Sequence, residues 1–536
     1  MSMIPIARAR PLPSVGYLYK ALPHILTAGD LFAGQIVVIL WLINAATAAL
    51  IGAVGLSYWL IGALVFFVPA LVAVAQLALL FPGDGGLYHW TYSALASAGG
   101  TNRAAAFWSF FAGVCAWMVA PLALVTGASA LLSFLEGMLP ARVLTTILAQ
   151  PWQQGLLMAG LVLLMQLVAC QRLRVVQHLI NVTAWANLLA LLLIALAGAR
   201  WWLAGHSSAT SFTTPGAWLP TPGTLPVFAL VCLGYLGPSV PLTLCGELAP
   251  GAHPRRAITR PLLWSALIVI VGYLLTTSVL LFLRGPALAT STNLNDTLIG
   301  IVDQALGKPV GNVALIALLL FFLLSPVYYH VAASRLPLAA AIDGRLPARL
   351  GRLNRNRVPV AALWLQTLVA LGLLVLMYLL IPVIPGLGQP AQLASNVYNV
   401  ALASITLFFV LATLFGFVDL FAVLQSELAQ WPPQPNPTSQ PAPRPYPTVP
   451  HPVAVSWIAP RVVLWGCILP GASACLFVLV DTLLHSWTPT LSNATWTLAL
   501  GSVLVVLLVA LTIGSMLATS EAAWQQWMVE HGGPQG

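Results

Sequence analysis

Charged residues are scarce in this sequence. They make up only 6% of its 536 residues, whereas soluble domains contain about 25%. Hydrophobic residues account for 60% and are gathered in long apolar runs. A run of about 20 residues forms a helix of roughly 30 Å, which matches the hydrocarbon core of a bilayer. The composition therefore excludes a soluble globular protein and predicts an all-α polytopic membrane protein.

Motifs that carry catalysis are also missing. The sequence has no Gly-rich loop with a lysine for nucleotide phosphates, no HExxH, no GxSxG within an apolar run and no acidic pair in one. These absences argue against direct ATP coupling and against a membrane-embedded enzyme. We therefore expect no enzymatic activity, no cofactor and no metal site.

Twelve apolar runs are long enough to be membrane spans, so both termini are expected on one side. With a cytoplasmic N-terminus, only Arg142, Arg200, Arg284 and Lys308 lie outside, and the other 17 of the 21 basic residues lie inside. This asymmetry follows the positive-inside rule and favours a plasma-membrane protein with cytoplasmic termini. The net charge of +9 then reflects loops beside anionic lipid, and no nucleic-acid partner is needed. The predicted spans are 31–54, 57–81, 106–135, 154–171, 175–199, 225–248, 261–284, 309–334, 359–382, 394–424, 461–484 and 493–517.

One segment differs in composition from the rest. Residues 431–452 read WPPQPNPTSQPAPRPYPTVPHP, and so many prolines favour an extended linker without a packed core. A ligand for a proline-reading domain is the alternative to a plain cytoplasmic linker.

The sixth run contains helix breakers. Residues 233–241 read LGYLGPSVP, and each proline inside a helix costs about 3 kcal/mol. Non-helical backbone survives in a membrane only beside protein or a water-filled cavity. Gly234, Gly237, Pro238 and Pro241 therefore predict a discontinuous helix whose free N–H and C=O groups suit a zwitterion. A proline kink used only for packing is the alternative.

The first run is the candidate partner of this break if the core consists of two five-helix halves, 31–199 and 225–424. Its middle reads LINAATAALIGA, with polar Asn44 and Thr47 beside small Ala45 and Ala46. Packing against a neighbouring helix explains Asn44 and Thr47 equally well. Around the halves we expect a tail (1–30), the Pro-rich linker (425–460), two further spans (461–517) and a C-terminal tail (518–536).

Three segments together resemble the amino acid permeases of the amino acid–polyamine–organocation superfamily. FPGDGGLYHWTYSALA (81–96) is similar to the family's P-x-x-G-G-x-Y motif before a re-entrant helix. GYLGPSVPLTLCGELAPGAHPRRAI (234–258) is similar to its broken sixth span, and SRLPLAAAIDGRLPARLGRLNRNRVPV (334–360) to the loop after its eighth span. The resemblance covers about residues 20–424 and implies twelve spans with a LeuT-type inverted-repeat core.

The resemblance also implies roles for single residues. It places the substrate between Asn44, Ala45, Ala46 and Thr47 of span one and Gly234, Tyr235, Gly237, Pro238 and Ser239 of span six, with Tyr235 as an aromatic cover. Some relatives carry a coupling glutamate where this chain has Ser239, and others a lysine in span five where it offers Asn181 and Asn187. These departures argue against proton symport through those positions.

Roles can also be predicted for two titratable residues near the span ends, Glu247 and His330. Glu247 begins the cytoplasmic end of span six, where pairing with Arg255 or Arg256 would make an inside gate or loop clamp. His330 in span eight is expected to be a hydrogen-bonded packing residue, with proton transfer as the alternative.

These observations predict a secondary transporter that moves a small amino acid by alternating access. No Asp or Glu falls in the middle of a span, which favours a neutral amino acid over a dication, because an uncompensated buried charge is costly. A coupling ion, H⁺ or Na⁺, or a counter-substrate is expected as a further partner. The alternatives are an amine or polyamine exchanger of the same fold and an amino acid sensor that does not transport.

Overall fold

The structure is a computed structural model that describes residues 12–99, 102–138, 150–250, 254–285, 294–380, 390–429, 457–487 and 491–505, together with 148, 288, 508, 509, 512 and 513. Every regular element in these residues is helical. The helices are α1 (Pro13–Ala21), α2 (Ala28–Ile39), α3 (Ile43–Ala49), α4 (Val54–Leu80), α5 (Gly86–Ser97), α6 (Asn102–Met138), α7 (Pro151–Ala169), α8 (Leu173–Leu203), α9 (Pro226–Gly234), α10 (Pro254–Leu283), α11 (Leu294–Leu306), α12 (Lys308–Ala333), α13 (Arg335–Ile342), α14 (Val360–Val375), α15 (Pro390–Ala429), α16 (Arg461–Leu484) and α17 (Asn493–Val505).

The predicted polytopic architecture is confirmed. Nine of the described helical segments are long and apolar enough to cross a membrane, and the number is ten if the bent pair α2 and α3 is one span. The predicted span 225–248 is divided between α9 and a short 3₁₀ helix (Pro241–Glu247), and the described part of span 493–517 is shorter than a full crossing. Twelve spans and the inverted repeat stay predictions.

The first span begins and ends for different reasons. A capping box starts α2, because the Thr27 N–H donates to Asp30 Oδ2 (2.8 Å) and the Asp30 N–H to Thr27 Oγ1 (3.3 Å). The helix stops at Ile39, and α3 follows at an angle of 41°. No glycine or proline lies at this interruption.

The sixth span is interrupted where its sequence predicts. Helix α9 ends at Gly234, residues 235–240 are not helical, and the 3₁₀ helix follows. Gly237 has φ +101°, a left-handed conformation that a residue with a side chain rarely adopts.

Longer helices enclose the two broken spans. Helix α2 packs against α8, α10 and α12, while α6 packs against α5, α12 and α15. A Cβ atom added to Gly127 of α6 would lie 2.9 Å from the Phe322 carbonyl oxygen of α12, so these two backbones approach closely. The interior of the bundle therefore surrounds both interruptions with protein. The Pro-rich segment 431–452 and the terminal tails 1–11 and 518–536 lie outside the described residues.

Candidate functional site

The end of α2 is held by side chains from three other helices. Its last carbonyl groups lose their intrahelical partners where the helix stops, and unpaired carbonyls are costly in a membrane interior. Helices α8, α10 and α12 each supply neutral donors to them. The bonds run from Ser325 Oγ to Val37 O (2.8 Å), Tyr329 Oη to Val38 O (2.7 Å), Tyr273 Oη to Ile39 O (2.5 Å) and Asn187 Nδ2 to Leu40 O (2.8 Å).

Tyr273 connects the two interruptions. Its hydroxyl oxygen also lies 3.0 Å from Gly234 O at the end of α9 and accepts a hydrogen bond from the Trp41 N–H (3.1 Å). A second bridge runs from Gln35 Nε2 of α2 to Pro238 O (2.8 Å). The broken backbones of spans one and six are therefore joined to each other and to α10.

The interruptions also touch directly. A Cβ atom on Gly237 would lie 2.6 Å from Val38 Cγ1 and 3.2 Å from Tyr329 Oη, so a larger residue does not fit there without displacement of its neighbours. Within the described residues, no acceptor is found for the N–H groups of Gly237 and Ser239. Gly237 is buried and Ser239 is half-buried. Unpaired backbone donors away from the surface are rare in proteins, and they mark positions where a ligand or water can bind.

Two small cavities lie beside this junction. The central cavity, of about 30 Å³, is bounded by Val38, Ile39, Trp41 and Asn44 of span one, by Leu233 and Leu236, and by residues of α6, α12 and α15. The second cavity, of about 20 Å³, reaches from Ser239 to Thr243 and Leu336. Tyr329 and Phe409 line both cavities, with ring centroids 5.8 Å apart. Each cavity has room for one or two water molecules, because a water needs about 10–15 Å³ of cavity volume.

Eight of the nine predicted site residues fall into three groups, and Tyr235 lies apart from them. Asn44 lines the central cavity, Ser239 lines the second, and Gly237 lies against the wall between them. Ala45, Ala46 and Thr47 belong to α3, beyond the interruption, which lies at Leu40–Leu42. Gly234 and Pro238 contribute the backbone carbonyls described above and line neither cavity.

Tyr235 lies away from the cavities. It is fully buried, stacks on Phe67 of α4 with ring centroids 4.7 Å apart, and donates its hydroxyl proton to Trp59 O (2.9 Å). The aromatic residues beside the central cavity are Trp41, Tyr329 and Phe409. Neither Tyr329, which lies in predicted span eight next to His330, nor Phe409, which lies in an apolar stretch of predicted span ten, was identified from the sequence.

A buried ion pair closes one end of the bundle. Arg335, which is 2% exposed, binds Glu247 Oε1 through Nε and Nη2, both at 2.8 Å. The expected pairing of Glu247 with Arg255 or Arg256 is therefore wrong. Those arginines lie in the first turn of α10. Arg335 is the first residue of α13, directly after α12, which packs against the 3₁₀ helix of span six.

Two further carboxylates, Asp84 and Asp343, lie at the same end of the bundle as this ion pair. We call the group formed by Ser14, Asp84, Tyr88, Glu247, Arg335 and Asp343 the polar barrier. Asp84 is buried against Gly246, and neither of its oxygens has a hydrogen-bond partner among the described residues. Burial and the nearby charge of Glu247 raise the pKa of Asp84 well above its ordinary value. Asp343 accepts hydrogen bonds from Ser14 of α1 and from Tyr88 of α5 at 2.8–2.9 Å.

Backbone pairing completes the closure at this end. The N–H groups of Ile25 and Leu26, just before α2, donate to Glu247 O at 2.9 and 3.0 Å, and the Ala249 N–H donates back to Leu26 O. The start of span one is thereby joined to the end of span six. All three family-like segments of the sequence meet here. Asp84 and Tyr88 come from residues 81–96, Glu247 from residues 234–258, and Arg335 and Asp343 from residues 334–360.

His330 has the hydrogen bonds of a packing residue. It is fully buried, with Nε2 2.6 Å from Gln166 Oε1 of α7 and Nδ1 bonded to Gln366 of α14. It lines neither cavity. Elsewhere in the described chain, no cluster of His, Cys, Asp and Glu has the arrangement to hold a metal ion.

Comparison with known proteins agrees with this architecture. Residues 26–421 match the amino acid permease family. An uncharacterized transporter of Legionella pneumophila is 26% identical over 318 residues, which cover 58% of this chain and 64% of that protein. The matched family region contains both interruptions, both cavities and the Glu247–Arg335 pair. The chain belongs to the amino acid permease family, which is a family of transporters.

Proposed function

We propose that this protein is a secondary transporter that carries a neutral amino acid across the plasma membrane by alternating access. The observation that carries the proposal is the meeting of two interrupted helices beside a cavity, with Gly237 against Val38. Interrupted helices expose backbone dipoles of both signs, which suit the two charges of a zwitterion. The coupling ion or counter-substrate remains part of the proposal without an assigned site.

The α-carboxylate and the α-amino group need different partners. The unpaired N–H groups of Gly237 and Ser239 are the donors that a carboxylate requires. The Asn44 amide and the carbonyl-rich end of α2 are the acceptors nearest the central cavity. We assign the substrate backbone to this junction, with Asn44, Gly237 and Ser239 as its main contacts.

The cavity walls support a neutral, apolar substrate side chain. None of the residues that line the central and second cavities is charged, and Leu233, Leu236 and Ile405 supply apolar surface. A charged side chain would be buried there without a partner, at a cost of several kcal/mol. A polyamine would need a carboxylate that neither wall provides.

The described arrangement is closed, because about 30 Å³ is too small for an amino acid. A substrate therefore enters only after helices move. Tyr329 and Phe409 line both cavities, and the second cavity reaches Leu87 and Leu336, next in sequence to Tyr88 and Arg335 of the polar barrier. We propose that movement of the Tyr329 and Phe409 rings and opening of the Glu247–Arg335 pair form the path to that side. We propose that this side is cytoplasmic, as the distribution of basic residues predicts.

Two measurements on the purified chain test the proposal. A thermal-shift screen against the twenty amino acids and common amines identifies the ligand, because a ligand that binds only the folded state raises the melting temperature. Proteoliposomes are then tested for uptake of the same radiolabelled compound. We expect a neutral apolar amino acid to bind and to accumulate.

Other outcomes decide between the alternatives. Binding without accumulation, under both a proton and a sodium gradient and with internal counter-substrate, would identify a sensor. Stabilisation by putrescine or agmatine, with no competition from neutral amino acids, would overturn the substrate class while leaving the transport mechanism intact.

A further inference from the structure

A surface groove lies away from the proposed substrate site and shares no lining residue with the two cavities described above. It runs between the first turns of α2 and the first half of α10 and has a volume of about 660 Å³. Its α2 wall consists of Ala28, Gly29 and Phe32. The small residues Ala28 and Gly29 leave space at one end of this wall, and Phe32 makes the other end apolar. The proposed transport path does not use this groove, although Arg256 and Ala257 of its wall belong to the family-like segment 234–258.

The α10 wall has a regular gradient of polarity. Arg256, Arg260, Trp264 and Ile268 follow at intervals of four residues, which places them on one face of the helix. From Arg256 to Ile268 the helix rises about 18 Å. That distance covers a lipid headgroup, the interfacial layer favoured by tryptophan, and the upper part of the acyl chains.

The two arginines of this wall are without ionic partners. Within the described residues no carboxylate lies within ion-pair distance of Arg256 or Arg260, and both side chains are exposed. Asp30, the acidic residue nearest to the α2 wall in sequence, turns to α8, where its Oδ1 accepts a hydrogen bond from Asn181 Nδ2 (2.7 Å). The polar end of the groove therefore presents uncompensated positive charge.

The surroundings of the groove match lipid. Next to the arginine–tryptophan face, α10 exposes Leu263 and Leu267, which are 67% and 51% accessible. Trp264 itself is 59% exposed. A soluble anion would be held by the arginines alone and would leave Trp264, Ile268 and Phe32 unused. An anionic lipid uses both ends of the groove.

We propose that this groove is a binding site for one anionic phospholipid. The phosphate lies between Arg256 and Arg260, and an acyl chain runs past Trp264 and Ile268 with Phe32 opposite. Basic residues attract the anionic lipids of the cytoplasmic leaflet, which is where the charge distribution of the sequence puts this end of α10. The proposal is tested by measuring lipid binding, so the test does not depend on the substrate or on transport.

Native mass spectrometry of the full chain in neutral detergent tests the site. Phosphatidylglycerol and phosphatidylcholine are added at equal concentration, and the bound lipids are counted. We expect a preference for phosphatidylglycerol of about tenfold or more, because each of two arginines near an anionic headgroup contributes to it. Equal retention of the two lipids would overturn the proposal.

Two variants separate the groove from general electrostatic attraction. Arg256→Gln with Arg260→Gln removes the positive charge and is expected to abolish the preference. Arg349→Gln with Arg352→Gln removes the same charge from an exposed loop at the same end of the bundle and should leave it unchanged. An equal loss in both double variants would show attraction by net charge only and would contradict a defined site.

A third variant blocks the groove without changing charge. A Cβ atom at Gly29 would meet only Thr27 Oγ1, at 3.6 Å, so we expect Gly29→Phe to fold. Its ring would fill the part of the groove beside Ala28 and Gly29. We expect it to lose the phosphatidylglycerol preference although both arginines remain. A retained preference would contradict binding in the groove, and displacement of the lipid by excess inorganic phosphate would show an anion site instead. Gel filtration and melting temperature confirm that each variant is folded.

Discussion

The central junction and the polar barrier hold the same two spans together with different chemistry. At the junction, the carbonyls at the end of α2 accept hydrogen bonds from neutral hydroxyl and amide groups of α8, α10 and α12. At the barrier, the end of span six is held by the ionic pair Glu247–Arg335, with unpaired Asp84 beside it.

This difference follows from what each region is proposed to do. A site for a zwitterion must keep its own backbone dipoles oriented without placing a charge that would favour one end of the ligand. A closure that opens to water can use charges, because water rehydrates them when the pair separates. Neutral donors at the centre and ions at the edge therefore suit a binding site and a gate, respectively.

The largest effect on transport is expected from filling the contact between the interruptions. Gly237→Leu forces a side chain into a left-handed backbone, at about 1–2 kcal/mol, and into Val38, at about 1–3 kcal/mol. We expect initial uptake in proteoliposomes to fall roughly 100-fold. Gly160→Leu is the control, because a Cβ atom there meets nothing within 4 Å. Uptake by Gly237→Leu at the rate of the control would remove the junction from the site.

Arg335→Gln removes the ion pair of the polar barrier. The change leaves the buried Glu247 without its cation beside Asp84, and loss of one partner of a buried pair costs about 3–5 kcal/mol. The melting temperature of the purified protein should fall accordingly. Adding Glu247→Gln should recover part of the loss, whereas exposed Arg349→Gln should change little. A double variant as unstable as Arg335→Gln alone would show that the arginine acts by packing and not by charge.

The neutral side is tested by Tyr273→Phe, with a smaller expected effect. The variant keeps the ring, which stacks on Trp59 at 4.0 Å, and removes the hydroxyl that joins Ile39, Gly234 and Trp41. Leaving buried backbone groups unpaired costs about 1–3 kcal/mol, measured as a lower melting temperature. Tyr58→Phe is the control, because among the described residues its hydroxyl is hydrogen-bonded only to the half-buried Thr224. Equal effects of the two variants would contradict a special role for the junction.

The smallest effect concerns the pH dependence of stability. The raised pKa of Asp84 means that the folded state binds this proton more tightly than the unfolded state, so its contribution becomes unfavourable as pH rises above the unfolded value of about 3.9. Asp84→Asn removes that contribution. We expect the variant and the wild type to differ little in melting temperature near pH 4, and the variant to become relatively more stable as pH rises. Asp84→Glu keeps a carboxyl and should retain the wild-type trend. A constant difference between wild type and Asp84→Asn at all pH values would contradict a titrating Asp84.

Much of this architecture could be predicted from residue types. The apolar runs predict the long helices, because a bilayer leaves the backbone few other ways to satisfy its hydrogen bonds. The interruption at 235–240 could be predicted from its glycines and prolines, which act locally. The interruption of span one was expected near Asn44–Thr47 and lies instead at Leu40–Leu42, in an apolar stretch without helix breakers.

The sequence by itself determined that the chain spans a membrane, that span six is broken at Gly237, and that three of its segments resemble one family of permeases. These properties depend on local backbone preference and on apolar run length. Only the tertiary structure decided where α2 ends, which arginine pairs with Glu247, and that Tyr329 and Phe409 line both cavities. Those properties depend on donors, charges and rings from helices far apart in the chain, which only packing brings together.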